Sequence, residues 1–269
     1  MLFFRKREKT PLFIHIPKTG GTYLTQGETD GDTVIKPIQI VGHNYFATAN
    51  DCENPLYAGH DPERATGITI EKSAAKNRVV FSVVRNVFEW LVSYAGHAGY
   101  GQHRYVNVDH YDFENARKGF SYLLKTIANR TDLWPNRKFL FCQNFASDGE
   151  LMPNWILNNA HLDNELHRFA CMNKLTYSQK RKQRVGSKKD FRLHFSDELV
   201  ELTTKTWGRE MKIYGHKFDA PSENAVLTGK VPDKVKKQLT YKYSSDELKF
   251  GDSVVSTQNF DVLRTSVAA

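Results

Sequence analysis

Cysteine is scarce in this chain. Only Cys52, Cys142 and Cys171 occur in 269 residues, too few and too scattered for a disulfide framework or a tetrahedral zinc site. That usage points to a reducing compartment. Long apolar runs are also missing, none approaching the roughly 20 residues a membrane-spanning helix needs. The opening Met1-Leu-Phe-Phe-Arg-Lys-Arg7 places charge directly behind its apolar residues with no hydrophobic region to follow, so it does not read as a signal peptide. No internal repeat or low-complexity tract is found. With 40% hydrophobic and 25% charged residues the composition is that of an ordinary globular protein. These features lead us to expect a soluble, cytoplasmic protein.

What the chain has in excess is positive charge, with 38 Lys and Arg against 30 Asp and Glu, a net +8. An anionic partner is therefore expected. The charge gathers in Arg5–Lys9 and in Lys180–Arg184, the latter followed by Lys188, Lys189 and Arg192. A nucleic-acid surface interleaves aromatic rings with its cations so that bases can stack. Lys180–Lys189 contains no aromatic residue, so nucleic acid is not expected and a small polyanion such as a nucleotide fits better.

Hydrophobic periodicity gives alternating strands and helices. Leu12–Ile16 is a short apolar strand that stops at Pro17, followed by a helix from Tyr23. Val79–Val84 is almost continuously apolar, as in a strand covered on both faces, and leads into a helix over Val87–Tyr94. Phe113–Arg130 reads as a helix with Phe120, Leu123, Leu124 and Ile127 on one face. Trp155–Leu157 reads as a strand, Asn164–Met172 as a helix, and Asp197–Gly208 as a helix capped by Ser196. Cys142 and Cys171, in apolar surroundings, are expected in the core. The pattern predicts an α/β fold, its mostly parallel sheet covered by helices on both faces. The strand, glycine-containing turn and helix at its start have the layout of a phosphate-binding loop, so that the expected fold is P-loop-like and three-layered. The pattern loosens after Phe218, dividing residues 1–219, the main domain, from a C-terminal extension over 220–269.

Between the first strand and its helix lies Pro17-Lys-Thr-Gly-Gly-Thr22. Gly20 and Gly21 let backbone N–H groups approach an anion, Thr19 and Thr22 offer hydroxyls, and the start of a helix adds partial positive charge. Lys18 supplies a point charge. The lysine precedes the glycines, whereas the GxxxxGK[ST] loop of nucleotide triphosphatases has it after them. A plain strand-to-helix turn and a phosphate loop both remain open on these residues alone.

The longer string Phe13-Ile-His-Ile-Pro-Lys-Thr-Gly-Gly-Thr22 resembles the 5′-phosphosulfate loop of sulfotransferases that use 3′-phosphoadenosine 5′-phosphosulfate (PAPS), in the group of the heparan sulfate 2-O- and 6-O-enzymes and their bacterial relatives. Val83-Val-Arg-Asn-Val-Phe-Glu-Trp-Leu-Val-Ser93 resembles that family's 3′-phosphate motif, of the form RNPFxRLVS. It departs from the pattern with Val87 for proline and Trp90 for arginine. The resemblance implies that Lys18, Thr19, Gly20, Gly21 and Thr22 hold the 5′ side of the donor, and that Arg85 and Ser93 hold its 3′-phosphate. It further implies a closing loop at Arg184–Lys189, with Gly186, Ser187 and Lys188 as nucleotide ligands. The layout covers roughly Leu12 to Phe218.

The implied activity is transfer of a sulfuryl group from PAPS to a hydroxyl, on a carbohydrate in the first instance, leaving adenosine 3′,5′-bisphosphate (PAP) and using no metal. Lys18 would meet the charge on the leaving oxygen, and a base would take the acceptor's proton. Of ten histidines, His43 and His60 each follow a glycine on the segment between the two phosphate motifs, as the family's base does: His60 lies 25 residues before Arg85 and His43 lies 42 before it. The first spacing suits the family better, so His60 is the expected base and His43 the second choice. His97 and His103 are candidates for meeting the acceptor. A lipid or small natural-product acceptor is the alternative within this class. A P-loop phosphotransferase and a polyanion-binding module are the alternatives outside it.

Overall fold

The computed structural model describes residues 10–16, 18–25, 34–41, 57–58, 69–70, 75–97, 113–129, 141, 144, 150–178, 190–219 and 229–234. Its centre is a five-stranded sheet. β1 (Leu12–Ile14) lies between β3 (Gln39–Val41) and β6 (Val80–Val84), β7 (Trp155–Asn158) follows β6, and β9 (Gly229–Lys230) closes the far edge. The first four strands run parallel and β9 is antiparallel to β7. Two small antiparallel pairs lie outside this sheet, β2 (Ile35–Lys36) with β8 (Thr176–Tyr177) and β4 (Tyr57–Ala58) with β5 (Thr69–Ile70).

The apolar strands are apolar because both of their faces are covered. Leu12, Ile14, Val80, Val84 and Ile156 enter one buried cluster with residues of α2 (Val87–His97), α3 (Phe113–Asn129) and α5 (Asp197–Tyr214). The alternate residues Phe13, Phe81, Val83, Trp155 and Leu157 enter a second cluster with α1 (Gly21–Thr25) and α4 (Leu162–Met172). The predicted stripe Phe120, Leu123, Leu124 and Ile127 of α3 is buried in the first. This is an α/β arrangement around a mostly parallel sheet.

Three expectations need adjustment. α5 runs past Gly208 to Tyr214 because Met211 and Tyr214 extend its apolar stripe, and it ends at Gly215 in the left-handed conformation with φ 69°. Ser196 caps its start, accepting from the Leu199 amide at 3.4 Å. Cys171 is exposed, not buried: it sits on the outer face of α4, its Sγ 3.6 Å from His167 Nε2. Cys142 lies outside the described residues. Finally, β9 belongs to the expected extension after 219 yet completes the sheet, with Val231 buried and its amide donating to Asn154 O at 2.6 Å.

Candidate functional site: an anion-binding loop at the sheet's carboxyl edge

In parallel α/β sheets, ligands gather beyond the carboxyl ends of the strands. Three of those ends meet here. β1 runs into the Lys18–Gly20 turn and α1, β6 runs into Arg85 and Asn86, and β7 ends on Asn158 and runs into Asn159.

The turn is built from two left-handed residues, Lys18 at φ 65° and Gly20 at φ 106°. Its carbonyls are tied to the body of the protein. Ile16 O accepts from the Thr19 hydroxyl at 2.7 Å and from the Thr19 amide at 3.4 Å. Lys18 O accepts from Arg85 Nη1 at 3.5 Å, and Thr19 O from Asn159 Nδ2 at 2.7 Å. Gly20 O accepts from the amides of Tyr23 and Leu24 at 3.0 and 3.4 Å. A trans peptide holds its C=O and N–H on opposite sides. Fixing the Thr19 and Gly20 carbonyls therefore aims the following amides, those of Gly20 and Gly21, the other way. The amides of Tyr23 and Leu24 are taken by Gly20 O, so the outward donors are those at the very start of α1. The result is a set of donors suited to an anion.

Both glycines are needed for packing beneath the loop. A Cβ on Gly20 would lie 2.6 Å from Leu162 Cδ2 and 2.8 Å from Asn159 Nδ2. A Cβ on Gly21 would lie 1.6 Å from Nε2 of His15, a buried ring stacked on Phe13. α1 is anchored in turn by Tyr23, whose hydroxyl donates to Asp163 Oδ1 at 2.5 Å. Tyr177 donates to the same oxygen, and burial followed by this bond to Asp163 pushes its phenol well above the ordinary range.

The expected ligands are placed as follows. Lys18 is half-buried at the turn. Thr19 is fully buried with its hydroxyl proton held by Ile16, so its contribution to the loop is structural. The Thr22 side chain lies outside the described residues. Arg85 is 28% exposed and reaches both the loop and Glu89, whose Oε2 is 3.3 Å from Nε. Burial lowers its pKa and Glu89 opposes that shift, and a guanidinium stays charged in proteins. Ser93 is half-buried on α2, one turn beyond Glu89. Glu89 thus stands between the two residues expected to hold one phosphate.

Asn86 caps α2, accepting from the Phe88 amide at 2.9 Å, and donates to Lys217 O at 2.9 Å. Trp90, which stands where the family pattern has arginine, is fully buried and stacked on Tyr94 at 4.9 Å. It is a core residue packed in the larger buried cluster. His60, His43, His103, Gly186, Ser187 and Lys188 lie outside the described residues, as does the side chain of His97.

Sequence reasoning missed Asn158 and Asn159. Asn158 accepts from the Ala160 amide at 3.0 Å and caps the short turn that presents Asn159 to the loop. The available signal was a polar pair directly after the apolar Trp155–Leu157. Among the described residues there is no group of three or more His, Cys, Asp or Glu side chains able to hold a metal ion. No described helix is long and apolar enough to cross a membrane. The chain matches no family model, no curated protein and no solved structure.

Proposed function

We propose that the protein is a PAPS-dependent sulfotransferase acting on a hydroxyl, with a carbohydrate as the first acceptor class to test, on a P-loop-like three-layer fold. The observation that carries this reading is the orientation of the loop. The carbonyls of Ile16, Lys18, Thr19 and Gly20 are held by the protein, while the Gly20 and Gly21 amides face away, beside a cation at Lys18. Arg85 at the next strand end contacts this loop directly, which brings the two motifs into one site. The donor set suits an adenosine nucleotide carrying phosphates at both 5′ and 3′ positions.

In this reading the loop amides and Lys18 hold the 5′ side of the donor, and Arg85 with Ser93 holds the 3′-phosphate. Bound PAPS supplies an activated sulfuryl group. The acceptor oxygen forms a bond to sulfur as the bond from sulfur to the 5′-phosphate oxygen breaks. Lys18 meets the charge that appears on that leaving oxygen. His60, in its proposed role as base, takes the acceptor's proton.

The test is calorimetric titration with adenosine 3′,5′-bisphosphate, beside ATP and AMP. Tight binding that depends on the 3′-phosphate is the expected result, and it would justify glycan acceptor screens with PAPS. No binding would overturn the reading, and a preference for ATP would replace it with a phosphotransferase.

A further inference from the structure

The loop's aim depends on a residue that belongs to neither motif. Arg85 holds the Lys18 carbonyl, but the amide of that same peptide, Thr19 N–H, already points back to Ile16 O. Arg85 therefore steadies the base of the turn without directing a donor outward. The next peptide is different. Its carbonyl, on Thr19, accepts from Asn159 Nδ2 at 2.7 Å, and its N–H, on Gly20, must point the opposite way. The Asn159 amide also fills the space a Cβ at position 20 would take. Asn158 fixes where Asn159 stands by capping the turn after β7. A hydrogen bond received at the carbonyl also polarises its peptide, making the Gly20 N–H a better donor.

We infer that Asn159 is a positioning residue for the 5′-phosphate subsite, aiming the Gly20 amide from the end of β7. The inference rests on the reading of the loop as the receptor for the 5′-phosphate of an adenosine nucleotide. It adds that this subsite is set by a third strand end, through an uncharged side chain that need not touch the ligand.

A ligand comparison separates this role from a general loss of structure. The full chain and the Asn159→Ala variant are titrated with adenosine 3′,5′-bisphosphate and with adenosine 3′-monophosphate. The ratio of the two dissociation constants measures what the 5′-phosphate contributes. In Asn159→Ala that ratio should fall about tenfold, the scale of losing one well-placed donor, while affinity for the 3′-monophosphate stays within about twofold. Asn159→Asp keeps the side chain's volume but cannot donate, and should lower the ratio at least as far. An unchanged ratio, or equal losses for both ligands, would overturn the role assigned to Asn159. If the unmodified protein gains nothing from the 5′-phosphate, the reading of the loop fails first, and the variants are not needed to see it.

Discussion

In the proposed reading, the two anion subsites are built on different principles. The loop after β1 is a backbone receptor: its carbonyls are tied to neighbouring strands, two glycines let it pack against His15, Leu162 and Asn159, and its donors are peptide amides. The site at the end of β6 is a side-chain receptor. There the helix start is capped by its own Asn86, which takes the Phe88 amide, so in the proposed site the guanidinium of Arg85 is the group that would bind. That guanidinium is already shared between Glu89 and the Lys18 carbonyl. The first subsite is preorganised, and the second must exchange one anion for another. A backbone receptor should fail steeply when its packing is disturbed, whereas a side-chain receptor can be tuned in either direction.

The largest effect is expected from Gly21→Ala. The new methyl has no room against His15, so the ring or the loop must move at a cost of about 1–3 kcal/mol. Thermal unfolding should shift down accordingly, and calorimetry should show adenosine 3′,5′-bisphosphate binding lost. Retention of full affinity would show that the loop is not the rigid partner in this comparison.

Arg85→Ala should weaken the bisphosphate by roughly 10- to 100-fold, as expected for charge-assisted bonds, while leaving AMP affinity much closer to that of the unmodified protein. Glu89→Gln should work in the opposite direction. Releasing Nε from its carboxylate should tighten the bisphosphate by about two- to fivefold, the scale of a part-exposed ion pair. Weaker binding in that variant would mean that Glu89 orients Arg85 more than it competes for it.

The smallest effect on either subsite is expected from His216→Phe. His216 is buried against Tyr214 and Phe141, and burial pushes its pKa down to about 3. The unfolded chain takes up this proton as pH falls through about 6.5, and the folded protein does not until about 3. Stability from this group is therefore complete above 6.5 and declines below it, by up to about 1.4 kcal/mol per pH unit. His216→Phe should flatten that part of the acid unfolding curve and leave nucleotide affinity at pH 7.5 unchanged. A loss of affinity there would tie the α5 C-terminus to the site.

Much of this molecule was legible in local pattern. The continuous apolar residues of β6, the stripe on α3 and the Ser196 cap each express a preference that neighbours in sequence impose by themselves. The glycine pair marked the loop, since Gly20 takes a backbone angle that few other residues accept. The purpose of Gly21 was not visible, because the ring it accommodates matters only once β1 and α1 have packed. Cys171 was misplaced for a similar reason: successive residues along a helix point in different directions around its axis, and only packing decides which of those directions is covered.

Local pattern specified β1, β6, β7 and the helices between and after them, together with the residue types offered to an anion at the ends of β1 and β6, whereas β3 and β9 of the central sheet and the short strands outside it were not legible there. Tertiary structure decided what those residues do. It buried Trp90 in the core and brought Arg85 and Asn159 to the loop from 67 and 140 positions away. It also drew β9 into the sheet from beyond the expected boundary. The physical reason is range. Helix and turn preferences act over a few residues, whereas the direction of a peptide N–H is set by whichever donor finds its carbonyl, and that donor comes from another strand.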